Sequence, residues 1–107
     1  PNNITRFLIL GKGENKPTGK DKTSILFGTP HVPGALHQTL APFARAGINL
    51  LRIESYPIRD RVWEYQFFAD LDGHRDDRKV GPSLRKMERK ASFLKILGSY
   101  PRGEEMR

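Results

Sequence analysis

Hydrophobic and polar positions vary along this chain with two periods, and the shorter period predicts strands. The apolar run at 24–27, closed by Gly28, is typical of a short buried strand, and residues 50–55 predict a second one. Residues 62–71 place an apolar side chain at every second position, as a strand with one buried face does. These side chains are Trp63, Tyr65, Phe67, Ala69 and Leu71. Residues 93–99 predict the final strand.

Two other segments repeat apolar residues every three or four positions, which is the spacing of an amphipathic helix. Residues 33–46 predict the first helix, because Pro33 suits a first helical position and Gly47 suits a helix end. Pro42 lies inside this helix, where it removes one backbone hydrogen bond. The apolar face of the helix consists of Leu36, Leu40, Phe43 and Ala44.

The second helix is predicted from an apolar stripe with steps of four, three and four residues. Asp76 and Asp77 are natural helix starters, through capping and through the helix dipole. We expect the helix to begin there unless Gly81 and Pro82 delay its start. The stripe consists of Val80, Leu84, Met87 and Ala91.

The predicted order is strand, helix, strand, strand, helix, strand. This is the α+β, ferredoxin-like βαββαβ layout, a four-stranded antiparallel sheet with two helices on one face. Residues 11–21 are rich in Gly, Lys and Pro and predict a linker, after a strand-like run within 1–10. We therefore expect the end of one domain at 1–10, a complete domain at 22–101 and a flexible tail at 102–107.

Composition limits the classes of protein that fit. The 107 residues suffice for one ordinary domain, and the absence of cysteine excludes disulfides and thiolate metal sites. No apolar run approaches the roughly 18 residues of a membrane span, and no signal-peptide pattern opens the chain. We therefore expect a cytoplasmic protein that does not bind a membrane.

The net charge of +7 raises the alternative of a nucleic-acid partner. The basic residues are scattered, however, and many fall where the second helix has its solvent face, so solubility explains them. RNA-recognition motifs share the predicted order of elements and stack bases on aromatic residues of a central strand. Here that strand, 62–68, lacks the glycines of the signature and contains Glu64, which repels phosphates. We expect no nucleic-acid partner.

The histidines do not predict a metal site or catalysis. His31, His37 and His74 are the only ones, and no carboxylate pattern completes a set of ligands around them. No serine or threonine has a credible base and orienting group nearby in sequence. We expect neither a metal nor another cofactor.

Polar chemistry concentrates at the two ends of the first predicted helix. Free backbone amides at its start, around Pro33 and Gly34, attract a carboxylate. A following strand that carries Asn49 and Ser55 can offer oxygen acceptors to an ammonium group. Together they suit a free amino acid, although spacing alone favours the simpler interpretation of a capped helix joined to a strand.

Several motifs resemble the regulatory ACT domain of prephenate dehydratase, and they extend over nearly all of 22–101. They are Gly34-Ala35-Leu36, Gly47-Ile48-Asn49-Leu50, Ile53-Glu54-Ser55-Tyr56-Pro57, Asp70-Leu71-Asp72-Gly73-His74 and Leu94-Lys95-Ile96-Leu97-Gly98-Ser99-Tyr100-Pro101. In addition, Thr5-Arg6-Phe7 resembles a motif at the end of the dehydratase catalytic domain. That similarity accounts for the isolated strand-like run before the linker.

The resemblance implies an allosteric role in phenylalanine biosynthesis. The parent enzyme would convert prephenate to phenylpyruvate, and the ACT domains would pair as a homodimer that binds L-phenylalanine for feedback inhibition. The implied ligand contacts are Pro33, Gly34, Ala35 and Leu36 for the carboxylate, and Asn49 and Leu50 of the neighbouring subunit for the ammonium group and ring. Glu54 and Ser55 would shape the same interface. Thr5 would be catalytic only together with the rest of the dehydratase domain.

One departure from the resembling motif leaves an alternative open. The motif usually carries arginine where this chain has Tyr56. Either Tyr56 replaces that arginine, or the domain is a dimerisation module that binds no small molecule. In both cases we expect no dehydratase turnover from these residues alone, because catalysis needs several groups held in place together.

Overall fold

Two helices and four strands follow one another in the order βαββαβ in the computed structural model, which describes residues 16–57, 59–60 and 64–101. The elements are β1 (Asp21–Pro30), α1 (Ala35–Ala46), β2 (Leu50–Pro57), β3 (Glu64–Asp72), α2 (Val80–Lys90) and β4 (Phe93–Pro101). The sheet has the order β2-β3-β1-β4, and every neighbouring pair is antiparallel. The ferredoxin-like prediction is confirmed. In this described part of the chain, neither helix is long and apolar enough to cross a membrane.

The alternation predicted for β3 builds the core. Phe67, Ala69 and Leu71 are buried against the helices, and Tyr65 packs at the margin of the same cluster. The ring of Phe67 stacks on that of Phe27 in β1, with 5.3 Å between ring centroids. Trp63, predicted for the same face, lies outside the described residues.

The apolar stripe of α2 is confirmed, and that of α1 needs one correction. Val80, Leu84 and Met87 are buried, and Ala91 packs against them just beyond the helix. In α1, Phe43 is buried and both leucines pack on the core, but Ala44 is exposed. Ala46 packs on the core instead.

Both helices begin later than the pattern predicted. Helix α1 begins at Ala35 rather than Pro33, because Gly34 occupies the N-cap position with φ +84°. Helix α2 begins at Val80, because Asp77 is used in the preceding turn, where its carboxylate accepts a hydrogen bond from the His74 amide (2.9 Å). Helix α1 ends at Gly47 as predicted and continues past Pro42, which is buried.

All four strands extend beyond their predicted bounds, β3 by the single residue Asp72, because pairing with a neighbour continues where the apolar pattern stops. Strand β1 already begins at Asp21, which the sequence assigned to the linker; its carboxylate accepts hydrogen bonds from the amide and hydroxyl of Thr18 (both 2.8 Å). Strand β2 continues to Pro57 and β4 to Pro101. The predictions for 1–10 and 102–107 concern residues outside the described ranges.

Removal of the Phe27 ring should be costly, because it is fully buried and stacked on Phe67. We expect Phe27→Ala to lower the free energy of unfolding by about 3–5 kcal/mol, measured by urea denaturation. The matched surface change Glu88→Ala should cost less than about 0.5 kcal/mol. Equal effects of the two substitutions would contradict this description of the core.

Candidate functional site

A cleft of about 360 Å³ opens where β1 leads into α1. Its lining consists of Pro30, Val32, Pro33, Gly34, Ala35, Gln38, Thr39 and Lys90. The cleft therefore contains three of the four residues predicted for carboxylate binding. The fourth, Leu36, is half-buried and packs against the core instead.

The backbone at the start of α1 leaves hydrogen-bond donors unused. The Ala35 amide donates to the Val32 carbonyl (3.2 Å), which closes a turn, while those of Leu36 and His37 find no acceptor among the described residues. Gly34 has no side chain to cap the helix, and the first turn carries no acidic residue. Free amides at the positive end of a helix dipole suit an anionic group such as a carboxylate.

The polar side chains of the cleft differ in availability. The Thr39 hydroxyl donates to the Ala35 carbonyl (2.8 Å) inside α1 and is buried, so it is already used. Gln38 and Lys90 are exposed. Sequence reasoning missed both: Lys90 reaches the cleft only because α2 runs antiparallel to α1, so that its last residue lies beside the first turn of α1.

Asn49 and Leu50 lie at the other end of α1 from the cleft. The Asn49 carbonyl accepts a hydrogen bond from the Asp72 amide (2.9 Å), and Leu50 pairs with Leu71 at the far end of the sheet. Helix α1 has 12 residues and is about 18 Å long, so it separates the two predicted halves of the site. A single copy cannot bring them together around one amino acid.

Glu54 and Ser55 lie on opposite faces of strand β2. Ser55 pairs with Phe67 and shares the face that carries the helices, whereas Glu54 pairs with Phe68 and lies on the face without helices. Strand β3 separates both from the cleft-forming end of β1. Within one copy, neither residue lines the cleft.

Tyr56 and Arg52 hold the carboxylate of Glu54 from both sides. The Tyr56 hydroxyl donates to Glu54 Oε1 (2.5 Å), and Arg52 Nη2 donates to Oε2 (2.7 Å). The guanidinium of Arg52 also lies over the Phe68 ring, 5.5 Å from its centroid. The hydrogen bond from Tyr56 lowers the pKa of Glu54 most, and the hydrogen bond from Arg52 lowers it further. The bond between Tyr56 and Glu54 also raises the pKa of Tyr56. A phenol thus occupies the position of the arginine expected from the motif.

Strand β2 is also an edge strand with exposed aliphatic side chains. Leu50, Leu51 and Ile53 expose 36%, 40% and 37% of their surface. One edge of β2 pairs with β3, and the other has no neighbouring strand within the described part of the chain. An exposed apolar edge of this kind is a template for pairing with another chain.

Neither a metal site nor an RNA platform forms within the described residues. No cluster of three potential metal ligands occurs there, His31 stacks on Tyr65 (4.3 Å between centroids), and His74 is buried. The aromatic stripe of β3 is directed toward the helices, and on the opposite face Phe68 is only 2% exposed. Bases therefore have no exposed ring of β3 to stack on. Thr5 lies outside the described ranges.

Comparison with known proteins first gives a family match. The model of the ACT domain matches residues 23–89. The chain is 51% identical over 100 residues to a bifunctional chorismate mutase/prephenate dehydratase of Aquifex aeolicus (strain VF5), covering 94% of this chain and 28% of that protein. It therefore spans less than a third of that relative.

Two solved structures are similar in both fold and sequence. A prephenate dehydratase from Arthrobacter aurescens in complex with L-phenylalanine superposes with a TM-score of 0.78 at 38% identity, covering 88% of this chain and 30% of that one. A protein described as GqqA, a novel type of quorum-quenching acylase, superposes with a TM-score of 0.82 at 30% identity. The match covers 89% of this chain and 49% of that one.

The hydrogen bond between Tyr56 and Glu54 should be visible in a titration. We expect Tyr56→Phe to raise the pKa of the Glu54 carboxyl toward its usual value, measured by carbon NMR of the side chain. Because the pKa is lowered in the folded protein, this bond stabilises the fold above the usual glutamate pKa, and the contribution disappears as the pH falls through the lowered value.

Tyr65→Phe is the matched control, since this tyrosine belongs to the helix-bearing face and makes no bond to Glu54. It should leave the Glu54 titration unchanged. An unchanged Glu54 pKa in Tyr56→Phe would contradict the hydrogen bond.

Proposed function

The chain belongs to the ACT domain family, and from this premise we propose that it is the regulatory domain of a prephenate dehydratase that binds L-phenylalanine between two copies of the chain. Binding would inhibit the parent enzyme, which would convert prephenate to phenylpyruvate with loss of water and carbon dioxide. The phenylalanine complex of the similar Arthrobacter aurescens enzyme supports the choice of ligand.

The single observation that carries this proposal is the uncapped start of α1 beside an open cleft. The free amides of Leu36 and His37 would bind the α-carboxylate of the ligand. The exposed side chain of Val32 and the ring of Pro33 would contact the apolar part of the ligand. Of the four predicted residues 33–36, Leu36 would thus act through its backbone amide and the other three through the shape of the cleft.

The second half of the site would come from a partner copy. In a two-fold dimer, the same residues of each copy contact the partner, so both copies make identical contacts. Antiparallel pairing of two β2 edges would place the Asn49 end of one copy beside the cleft end of its partner, which overcomes the separation of about 18 Å along α1. Asn49 and Leu50 would then contact the ammonium group and the ring, while Glu54 and Ser55 would shape the interface.

The remainder of the parent enzyme would receive the regulatory signal. A ligand that bridges two copies binds only their docked arrangement and shifts the population toward it. Such coupling is typically about 1–3 kcal/mol. Residues 1–10 would end the catalytic domain and residues 11–21 would form the linker to it, with Thr5 acting only in the complete dehydratase site.

Calorimetry tests ligand binding directly. We expect the chain to bind L-phenylalanine in preference to L-tyrosine and L-tryptophan, and Gly34→Val to abolish binding, because a valine at φ +84° is strained and adds bulk at the cleft. Gly19→Val is the matched control, since Gly19 has φ +92°, the same open surroundings and no part in the cleft. It should bind normally. Failure of the unaltered chain to bind any of the three would favour the ligand-free dimerisation module.

Sedimentation tests the shared site. We expect L-phenylalanine to shift the chain from monomer toward dimer, and Ile53→Lys on the β2 edge to weaken both dimer and ligand binding, because a charge opposes edge pairing. Arg89→Glu on the exposed surface of α2 should change neither. Full ligand binding by monomeric Ile53→Lys would contradict a site formed between two copies.

A further inference from the structure

Among the described residues, Lys90 is the only charged side chain that lines the cleft at the start of α1. It is the last residue of α2, and its side chain is exposed. No acidic side chain from the described part of the chain lines the cleft, so the ammonium group of Lys90 is the charged group of this lining. None of the motifs that identify the family includes this position.

The charge of Lys90 is available for a ligand. Lys90 makes no ion pair within the described residues, where the ion pairs involve Lys22, Arg52 and His74. Its place in the last turn of α2 favours a cation, because the carbonyl end of a helix is negative. The fold therefore brings a cation from the end of one helix to the cleft at the start of the other.

We propose that Lys90 determines which end of the ligand enters the cleft, and that it thereby selects for a free α-carboxylate. This inference rests on the proposed function, because it concerns the same amino-acid site. A carboxylate has room for several donors, so it can accept bonds from the amides of α1 and from Lys90 together. Such charge-assisted bonds are shorter and stronger than bonds between neutral groups.

The same charge excludes the opposite orientation. An ammonium group in the cleft would meet both Lys90 and the positive end of the α1 dipole, and no acidic side chain of residues 16–57, 59–60 or 64–101 lines the cleft to balance them. The ammonium group of the ligand must therefore face outward, toward the partner copy. An amino acid amide, which keeps the ammonium group but lacks the carboxylate, should be bound poorly.

The test compares Lys90→Met with Lys86→Met in the 107-residue chain. Both lysines are exposed residues of α2, but only Lys90 lines the cleft. The probes are L-phenylalanine and L-phenylalaninamide, measured by calorimetry at low and high salt, with circular dichroism and sedimentation of each variant. Lys90→Arg keeps the charge.

We expect Lys90→Met to weaken binding of L-phenylalanine about tenfold, as loss of one hydrogen bond to a charged group would. Its affinity for the amide should stay the same or rise. Lys86→Met should match the unaltered chain, and Lys90→Arg should bind within about threefold of it. Added salt should weaken binding to the unaltered chain more than binding to Lys90→Met.

Two results would overturn the inference while the proposed function stands. One is equal affinity of Lys90→Met and Lys86→Met for L-phenylalanine. The other is an equal loss of affinity for the acid and the amide in Lys90→Met, which would indicate a structural role. Absence of L-phenylalanine binding to the unaltered chain would instead overturn the proposed function, and the inference with it.

Discussion

The structure depends on the packing of one face of β3 and β1 under two helices. Phe67, Ala69 and Leu71 share one face of β3, so burial of this set fixes which side of every neighbouring strand meets the helices. The register then directs Ser55 toward the helices and Glu54 away from them. The same packing holds the start of α1 at one end of the sheet and Asn49 at the other. One hydrophobic pattern thereby places the two halves of the proposed amino-acid site at opposite ends of α1 within each copy.

The face without helices is organised by polar bonds between strands. Asp70 of β3 accepts a hydrogen bond from the Ser24 hydroxyl of β1 (2.5 Å) and lies 3.6 Å from the ammonium group of Lys22. Ser24 is also hydrogen-bonded to the Tyr100 hydroxyl of β4, so the buried cluster joins three strands. Tyr100, which belongs to the motif that ends at Pro101, therefore has a structural role. The triad of Arg52, Glu54 and Tyr56 on β2 is partly exposed, and its bonds are correspondingly screened by solvent.

Local sequence patterns predicted the features that depend on side-chain spacing and backbone conformation within one segment. The period of two in β3, the stripe of α2 and the end of α1 at Gly47 follow from side-chain spacing and from a glycine at φ +73°. The early start of β1 at Asp21 depends on pairing with β3 and β4, which no local pattern encodes. Lys90 escaped prediction for the same reason, because its place in the cleft results from the antiparallel packing of two helices. Only the register between β2 and β3 shows on which face of β2 Glu54 lies, and a sequence motif does not contain that register.

The separation of the two halves of the proposed site would have a consequence for regulation. If each copy held a complete site, phenylalanine would bind monomer and dimer alike and could not shift the population between them. Because α1 keeps the amides about 18 Å from Asn49, a ligand that needs both has differential affinity for the docked pair. Under the proposed function, that difference would be the free energy available to regulate the parent enzyme. Linkage would require this coupling to be reciprocal, so a state of the proposed catalytic domain that favours undocking would weaken phenylalanine binding by the same factor.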